Sequence, residues 1–371
     1  MKKLVLLALL YSPIVLSQQT SKNMMVGSLN RNYLQYLPVG FNPAIESLPV
    51  IFAFHGLGSD ALQTSGAGFN FIADTARFIV IYPNGTLNTN GQQSWNNGVG
   101  LASTSDGIGF VNQLMDSMLN NLNADASRFY ITGFSMGSIM SHHLACNINH
   151  RIAAIGTMAG TMATSTIATC VPSYKTPVIH LHGTADPTVP YAGSAIPTLS
   201  LVAQTIDFWR NVHGCSTTTD STRLANSGSD GNTITVDRFV YNSCNTTGPL
   251  ELYRFNGAGH VYLYKPVNDI TEAFEIWRFF YQWSKPDAPV ATLKKTNYAK
   301  LNLYPNPAQD QISIDGLADQ TVVSILNVDG KLIATEGVKN GAISIRDLSN
   351  GIYFLRVEND KQIEQFKFIK E

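Results

Sequence analysis

The chain has 371 residues, long for one domain, and 44% of them are hydrophobic against 14% charged, which allows a sizeable buried core. Its formal net charge of -1 leaves no electrostatic case for a nucleic-acid or anionic-membrane partner, since both need clustered Lys and Arg. It has four cysteines, and the close pairing usual in zinc sites is absent, so neither a metal nor any other cofactor is expected.

In chain order, Met1-Lys2-Lys3 precedes an apolar run from Leu4 to Leu16 and then Ser17-Gln18. A basic start and a short hydrophobic stretch predict a secretory signal peptide over 1–17, because the run is shorter than the roughly 20 residues that span a bilayer. Residues 18–285 then alternate apolar runs with helical patterns. Pro49–Phe54 and Phe78–Tyr82 are continuous apolar runs closed by Gly or Pro, as in strands buried on both faces. Ile108, Val111, Leu114, Met115, Met118, Leu119 and Leu122 form a helical stripe between Gly107 and Leu122. Strands are expected at Arg128–Thr132, Pro177–Leu181 and Pro249–Phe255, with helices after Ser135 and over about 270–283. This alternation predicts an α/β domain whose mostly parallel sheet carries helices on both faces.

Past Trp283 the character changes. A polar, proline-containing linker is expected over 286–298. From 299 to 371 only short strand-like runs remain (Gln311–Ile314, Thr321–Val328, Ala342–Ile345, Ile352–Val357), parted by turns such as Asp329-Gly330 and Asn350-Gly351. They predict a small all-β, sandwich-like domain. Cys146, Cys170, Cys215 and Cys244 suit an exported, oxidised protein. Three pairings are possible, and the sequential one, Cys146 with Cys170 and Cys215 with Cys244, is expected because it closes two short loops.

The strongest motif is Gly133-Phe134-Ser135-Met136-Gly137, placed between a strand and a helix. Such a turn needs glycines where neighbouring backbone passes closely, lifts the Ser hydroxyl above the sheet, and sets the Met136 N–H at a helix start for a developing oxyanion. In a chain with 29 glycines the pentapeptide alone can arise by chance; the strand before it and the helix after it favour the functional reading. A base and an orienting carboxylate must follow. Asp186 lies just past the strand ending near Leu181, where parallel sheets place functional groups, although a turn-capping Asp before Pro187 reads the same way. His260, in Gly257-Ala258-Gly259-His260, follows the last expected strand of the domain, with an ordinary surface His as its bland alternative.

Of the other histidines, His142, His143 and His150 are carried away on the helix after Ser135. His180 and His182 belong to a strand, and His213 sits beside Cys215. His55, in Phe54-His55-Gly56-Leu57-Gly58, has a structural role rather than that of the base, and the Leu57 N–H is the expected second oxyanion donor. Ser135, Asp186 and His260 thus read as nucleophile, orienting acid and base, with no metal or organic cofactor.

Several further segments recur in order: Arg31–Pro38, His55-Gly56, Tyr82-Pro83-Asn84-Gly85, Ser94-Trp95-Asn96-Asn97-Gly98, His182–Tyr191 and Gly259-His260. With Gly133–Gly137 this set resembles the polyhydroxybutyrate depolymerase and feruloyl esterase group of secreted α/β-hydrolases, the carbohydrate esterase 1 type, over about residues 30–283. The resemblance implies the α/β-hydrolase fold, the Ser135–Asp186–His260 triad, and Trp95 near the acyl pocket. Trp95, His55, Tyr191 and Tyr262 form the expected substrate-binding set, although aromatics are equally often packing. The family often has paired acids where Asp106-Gly107-Ile108-Gly109-Phe110 keeps one, and Trp-Pro where Val261-Tyr262-Leu263 follows His260. Those departures bear on specificity, not reaction type.

In the tail, Leu301-Asn302-Leu303-Tyr304-Pro305-Asn306-Pro307, Asp310, Gly330 and Asn350-Gly351-Ile352-Tyr353 resemble the C-terminal sorting domain of the Bacteroidetes type IX secretion system. This implies the secretion machinery as a partner and a secreted or surface-held product. A carbohydrate-binding β-module is the bland alternative, disfavoured by the lack of an aromatic platform. The expected function is therefore a secreted serine esterase on a polymeric ester, feruloyl or acetyl groups of plant cell-wall polysaccharide. The alternatives are a polyester depolymerase, a serine peptidase on the same fold, and a non-catalytic adhesin that kept the scaffold.

Overall fold

The computed structural model describes residues 18–192, 198–231, 233–244, 250–285, 303–314, 319, 321–327, 332–359 and 362–371. The expected signal peptide, the expected linker and the Asp329-Gly330 turn lie outside the described residues.

Chain order begins with a hairpin, β1 (Gln19–Val26) and β2 (Leu29–Tyr36), turned at Gly27 with φ 59°. Then come β3 (Val50–Phe54), α1 (Ala61–Ser65), α2 (Phe69–Ala76), β4 (Ile79–Pro83), the small pair β5 (Thr86–Leu87) and β6 (Gln93–Ser94), and α3 (Gly107–Leu122). The Asp106 side chain caps α3 through the Gly109 N–H at 2.7 Å, so the single acid of that loop starts the helix. β7 (Phe129–Phe134), α4 (Met136–Asn147), β8 (Ala154–Met158), α5 (Thr164–Thr169), β9 (Val178–Gly183) and α6 (Val202–His213) follow. β10 (Thr219–Arg223), β11 (Thr235–Tyr241), β12 (Leu250–Asn256) and α7 (Glu272–Phe280) complete the region.

Ten strands form one sheet in the order β1-β2-β4-β3-β7-β8-β9-β12-β11-β10. The six central strands, from β4 to β12, pair in parallel. The hairpin at one edge and β11 and β10 at the other pair antiparallel. Side chains alternate across the sheet. Val50, Phe52 and Phe54 join Val111, Leu114, Met140 and Trp209 on the face covered by α3, α4 and α6. Ile51 and Ala53 join Phe69, Ile72, Ile276 and Phe280 on the opposite face, under α2 and α7. A five-residue parallel strand such as β3 can therefore be apolar on both faces, while β12 and its neighbour β11 near one edge carry ion pairs. Glu251 of β12, 3% exposed, bonds Arg238 of β11 at 2.9 Å and Arg278 of α7 at 2.5 Å.

The sequential disulfides are present: Cys146–Cys170 ties the end of α4 to the end of α5, and Cys215–Cys244 ties the segment after α6 to the end of β11. In the tail, β13 (Leu303–Tyr304), β14 (Gln311–Ile314) and β17 (Ala342–Ser344) form one antiparallel sheet. A second has the order β16-β15-β18-β19, from β15 (Val322–Asn327), β16 (Leu332–Gly337), β18 (Gly351–Asn359) and β19 (Gln362–Lys370). Ile312, Ile314 and Ile343 of the first sheet share a core with Val323, Ile325, Leu355 and Phe368 of the second.

Candidate active site

β7 drives straight into α4 through Ser135, whose backbone sits at φ 55°, ψ -118°. A side-chain-bearing residue in such a conformation stores roughly 1–3 kcal/mol and persists only where its surroundings enforce it. They do here. The Ser135 N–H donates to Met158 O of β8 at 2.8 Å. A Cβ on Gly133 would lie 2.3 Å from Gly137 backbone, one on Gly137 2.1 Å from Phe54 O, and one on Gly160 2.3 Å from Ser135 O. Three close backbone approaches thus require glycine, and together they press Ser135 out of the sheet at the carboxyl end of β7.

Asp186 sits past the carboxyl end of β9, with its side chain fully buried. One oxygen, Oδ1, accepts the N–H groups of Thr188 at 2.8 Å and Val189 at 2.9 Å. The other, Oδ2, lies 2.7 Å from His260 Nδ1. Burial by itself would raise this carboxyl; hydrogen bonds from His182, His260 and the Val189 N–H override it and hold Asp186 well below the usual carboxylate range. An ionised Asp186 makes Nδ1 of His260 the protonated nitrogen, which leaves Nε2 able to accept a proton. The His260 ring lies 4.8 Å from that of Phe134, the residue before Ser135, and Phe134 stacks in turn on Tyr262 at 4.2 Å. The Ser135 turn and the His260 ring are therefore packed against each other.

The oxyanion candidates come together from two directions. Met136 opens α4, and a Cβ on Gly56, next to Leu57, would lie 3.4 Å from Ser135 Cβ. Among the described residues neither the Leu57 nor the Met136 N–H has a hydrogen-bond acceptor, which leaves both available to a ligand.

The loops over 84–98 brace the backbone of both oxyanion candidates and bury two residues of the expected substrate-binding set. Trp95 is 1% and His55 0% exposed, so neither forms an open substrate wall. Trp95 Nε1 donates to His55 O at 2.9 Å, and the Trp95 ring packs edge-on against Phe54 at 5.0 Å. His55 Nε2 accepts the Gly85 N–H at 2.9 Å, so its proton is on Nδ1 and goes to Gly56 O at 2.7 Å. Burial lowers the His55 pKa, which keeps that ring neutral. Asn97 Nδ2 donates to Met136 O at 3.2 Å. The sequence motifs around Gly85 and Trp95 therefore serve the backbone that carries Leu57 and Met136.

Tyr191 and Tyr262 are half-buried. Tyr191 sets its edge on the His182 ring at 5.8 Å and lines a 260 Å³ cavity with Phe239, Tyr241 and Arg254. A larger groove of 770 Å³ runs between α2 and α7, lined by Phe71, Ile72, Leu224 and Phe274. None of Ser135, Asp186 and His260 lines either cavity. His142 is fully buried and accepts from Trp209 Nε1 at 3.1 Å, and burial pushes its pKa down to about 3. His143 meets Thr166 Oγ1 at 3.2 Å. Neither faces His260.

One acid escaped sequence reasoning. Glu272, at the first turn of α7, is 3% exposed and accepts the Leu263 N–H at 3.0 Å, three residues past His260. Its Oε2 has no partner among the described residues. Burial pushes this carboxyl up to about 8, against the Leu263 hydrogen bond, which favours the ion. The folded state thus keeps its proton through a window, from about 4.5 to about 8, in which the unfolded chain loses it. Stability is full below about 4.5 and is lost as pH rises through 8. Glu272→Gln keeps an acceptor for Leu263 and cannot ionise, so its melting temperature should fall less between pH 5 and pH 8.5 than that of the parent. Parallel melting curves across that range would remove Glu272 as the source.

Residues 42–201 match the phospholipase/carboxylesterase family, and residues 302–371 match the secretion system C-terminal sorting domain, which marks the chain for export to the surface or the medium. A bifunctional acetylxylan esterase/xylanase of Neocallimastix patriciarum is 26% identical over 69% of this chain and 34% of its own length. Feruloyl esterase B of Piromyces equi is 27% identical over 62% of this chain and 42% of its own length. Poly(3-hydroxyalkanoate) depolymerase C of Paucimonas lemoignei is 27% identical over 62% and 58%. The chain thus spans between about a third and three-fifths of these relatives. Among solved structures, an acetyl xylan esterase from Aspergillus awamori superposes with a TM-score of 0.50 at 15% identity, over 65% of this chain and 94% of that one, so the two share the α/β-hydrolase fold.

Proposed function

We propose that this chain is an exported serine carboxylic-ester hydrolase that cuts feruloyl or acetyl esters of plant cell-wall polysaccharide through an acyl-enzyme. The observation that carries the reading is the 2.7 Å pairing of His260 Nδ1 with buried Asp186, packed against a Ser135 turn held at positive φ. Ser135 Oγ attacks the acyl carbon as His260 Nε2 takes its proton. Leu57 and Met136 N–H groups hold the oxyanion, and His260 returns the proton to the departing alkoxide. Water then repeats the sequence on the acyl-enzyme, releasing the acid and free Ser135. Typical losses on removing one oxyanion donor, roughly 3–4 kcal/mol, set the scale of their contribution.

The matched acetylxylan and feruloyl esterases support the polysaccharide substrate, and the matched depolymerase keeps a polyester as the second reading. The full exported chain, assayed on acetylated xylan, methyl ferulate and a polyhydroxybutyrate emulsion, separates them. Release of acetate or ferulate without clearing of the emulsion is expected. Clearing of the emulsion alone would replace polysaccharide with polyester, and inertness towards all three would remove the esterase reading.

A further inference from the structure

Behind Asp186, two buried histidines continue the line that begins at His260. His180 and His182 stand two residues apart on β9, so both project to the same face of the sheet, and each is 0% exposed. His182 Nε2 lies 2.8 Å from Val189 O and 3.4 Å from Asp186 Oδ2. Its Nδ1 lies 3.2 Å from His180 Nε2, and His180 Nδ1 lies 2.8 Å from Thr157 Oγ1 of β8.

A carbonyl oxygen only accepts, so His182 must carry a proton on Nε2. The tautomer with its one proton on Nε2 has Nδ1 as an acceptor, and this places the proton of His180 on Nε2, 3.2 Å away. His180 Nδ1 in turn accepts from the Thr157 hydroxyl at 2.8 Å, the shorter of that hydroxyl's two contacts, the other being Ile179 O at 3.3 Å. Burial lowers the His180 pKa well below the usual histidine range, in keeping with a neutral ring there. Every donor in the series then points the same way, from Thr157 through His180 and His182 towards the Asp186 loop. The last link closes a ring of contacts: Asp186 Oδ1 takes the Val189 N–H at 2.9 Å, while Val189 O takes the His182 proton.

We propose that His182, its tautomer set by His180, is a positioning residue for this active site, clamping the Asp186–Val189 turn so that Oδ2 faces His260. The inference rests on the triad reading, and His182 itself touches no substrate. Two variants of equal chemistry and unequal reach test it. In His182→Gln the amide nitrogen replaces Nε2 and still reaches Val189 O. In His182→Asn it falls about one bond short, in the place of Nδ1.

Gln should keep kcat within a few-fold of the parent. Asn should lose roughly 10- to 100-fold in kcat, the scale of a misplacement near 1 Å, with KM little changed. Equal kcat in the two variants, high or low, would overturn the clamp. Nitrogen-15 NMR of the unmodified full chain adds a readout that needs neither turnover nor a variant. The His182 ring should carry a proton on Nε2, and a ring protonated on Nδ1 alone would overturn the inference. Failure of the triad reading shows separately, as activity surviving in Ser135→Ala.

Discussion

Ser135→Ala should lower ester turnover by about a million-fold while leaving the fold intact, because members of a triad act as one unit and the remainder falls to what the oxyanion donors and binding supply. The substitution removes one oxygen and keeps the Cβ, so the strained backbone at φ 55° and the Ser135 N–H bond to Met158 O are unchanged. Melting temperature should therefore stay near that of the parent. The same variant weighs the esterase against a non-catalytic adhesin on a hydrolase scaffold. An adhesin would have no turnover to lose, whereas an ester hydrolase with another nucleophile would keep its activity. Asp186→Asn complements it, since an amide offering its N–H to His260 favours the wrong tautomer and leaves no acceptor for the Nδ1 proton. Hydrolysis of methyl ferulate at fixed pH, followed with stoichiometric protein, measures both.

How much of this was legible in the sequence depended on which side chains were forced to be apolar. β3, β4 and β7 lie in the middle of the sheet with both faces covered, so their runs have no polar choice and are plain to read. β10, Thr219–Arg223, lies at the edge with mostly exposed residues, and nothing in its polar sequence announces a strand. β8, Ala154–Met158, is fully buried but short and glycine-containing, which blurs its pattern. Gly156 is needed there because a Cβ would come within 2.8 Å of Ile276 on α7.

In the site, Ser135, Asp186 and His260 stand out as candidates because each follows a strand in the order an ester-hydrolase triad requires. Trp95 and His55 show what a sequence pattern leaves open. A sequence pattern shows that an aromatic and an imidazole recur near a site, but not whether they face substrate or hold the backbone that does. Here both hold backbone, through His55 O, Gly56 O and Gly85 N. His180 and His182 were read as strand residues, and their i, i+2 spacing does place them on one face. Their link to Asp186 depends on the loop geometry around Val189, which no spacing reveals. Glu272 has the sequence context of an ordinary first-turn acid of a helix, and only burial changes its meaning.

The second large effect is expected from one methyl group. In Gly137→Ala the new Cβ would sit 2.1 Å from Phe54 O, 2.6 Å from Phe54 C and 2.8 Å from His55 O. All three are main-chain atoms, so no side-chain rotation relieves the clash. Either α4 withdraws from β3 or the His55-Gly56 segment shifts, and that segment leads into Leu57, one of the two proposed oxyanion donors. Overpacking of this kind costs about 1–3 kcal/mol, and more where only backbone can give way. Activity should fall further than stability predicts, because the Leu57 N–H would lose its place relative to Ser135 even in molecules that stay folded. Gly259→Ala is the matched control: it is adjacent to His260, yet its Cβ would meet nothing nearer than 4.0 Å. That variant should melt and turn over much as the parent does. Thermal melts of both variants, with kcat measured on the folded fraction, test the contrast. A Gly137→Ala protein as stable and active as Gly259→Ala would mean that contact between α4 and β3 does not set the oxyanion geometry.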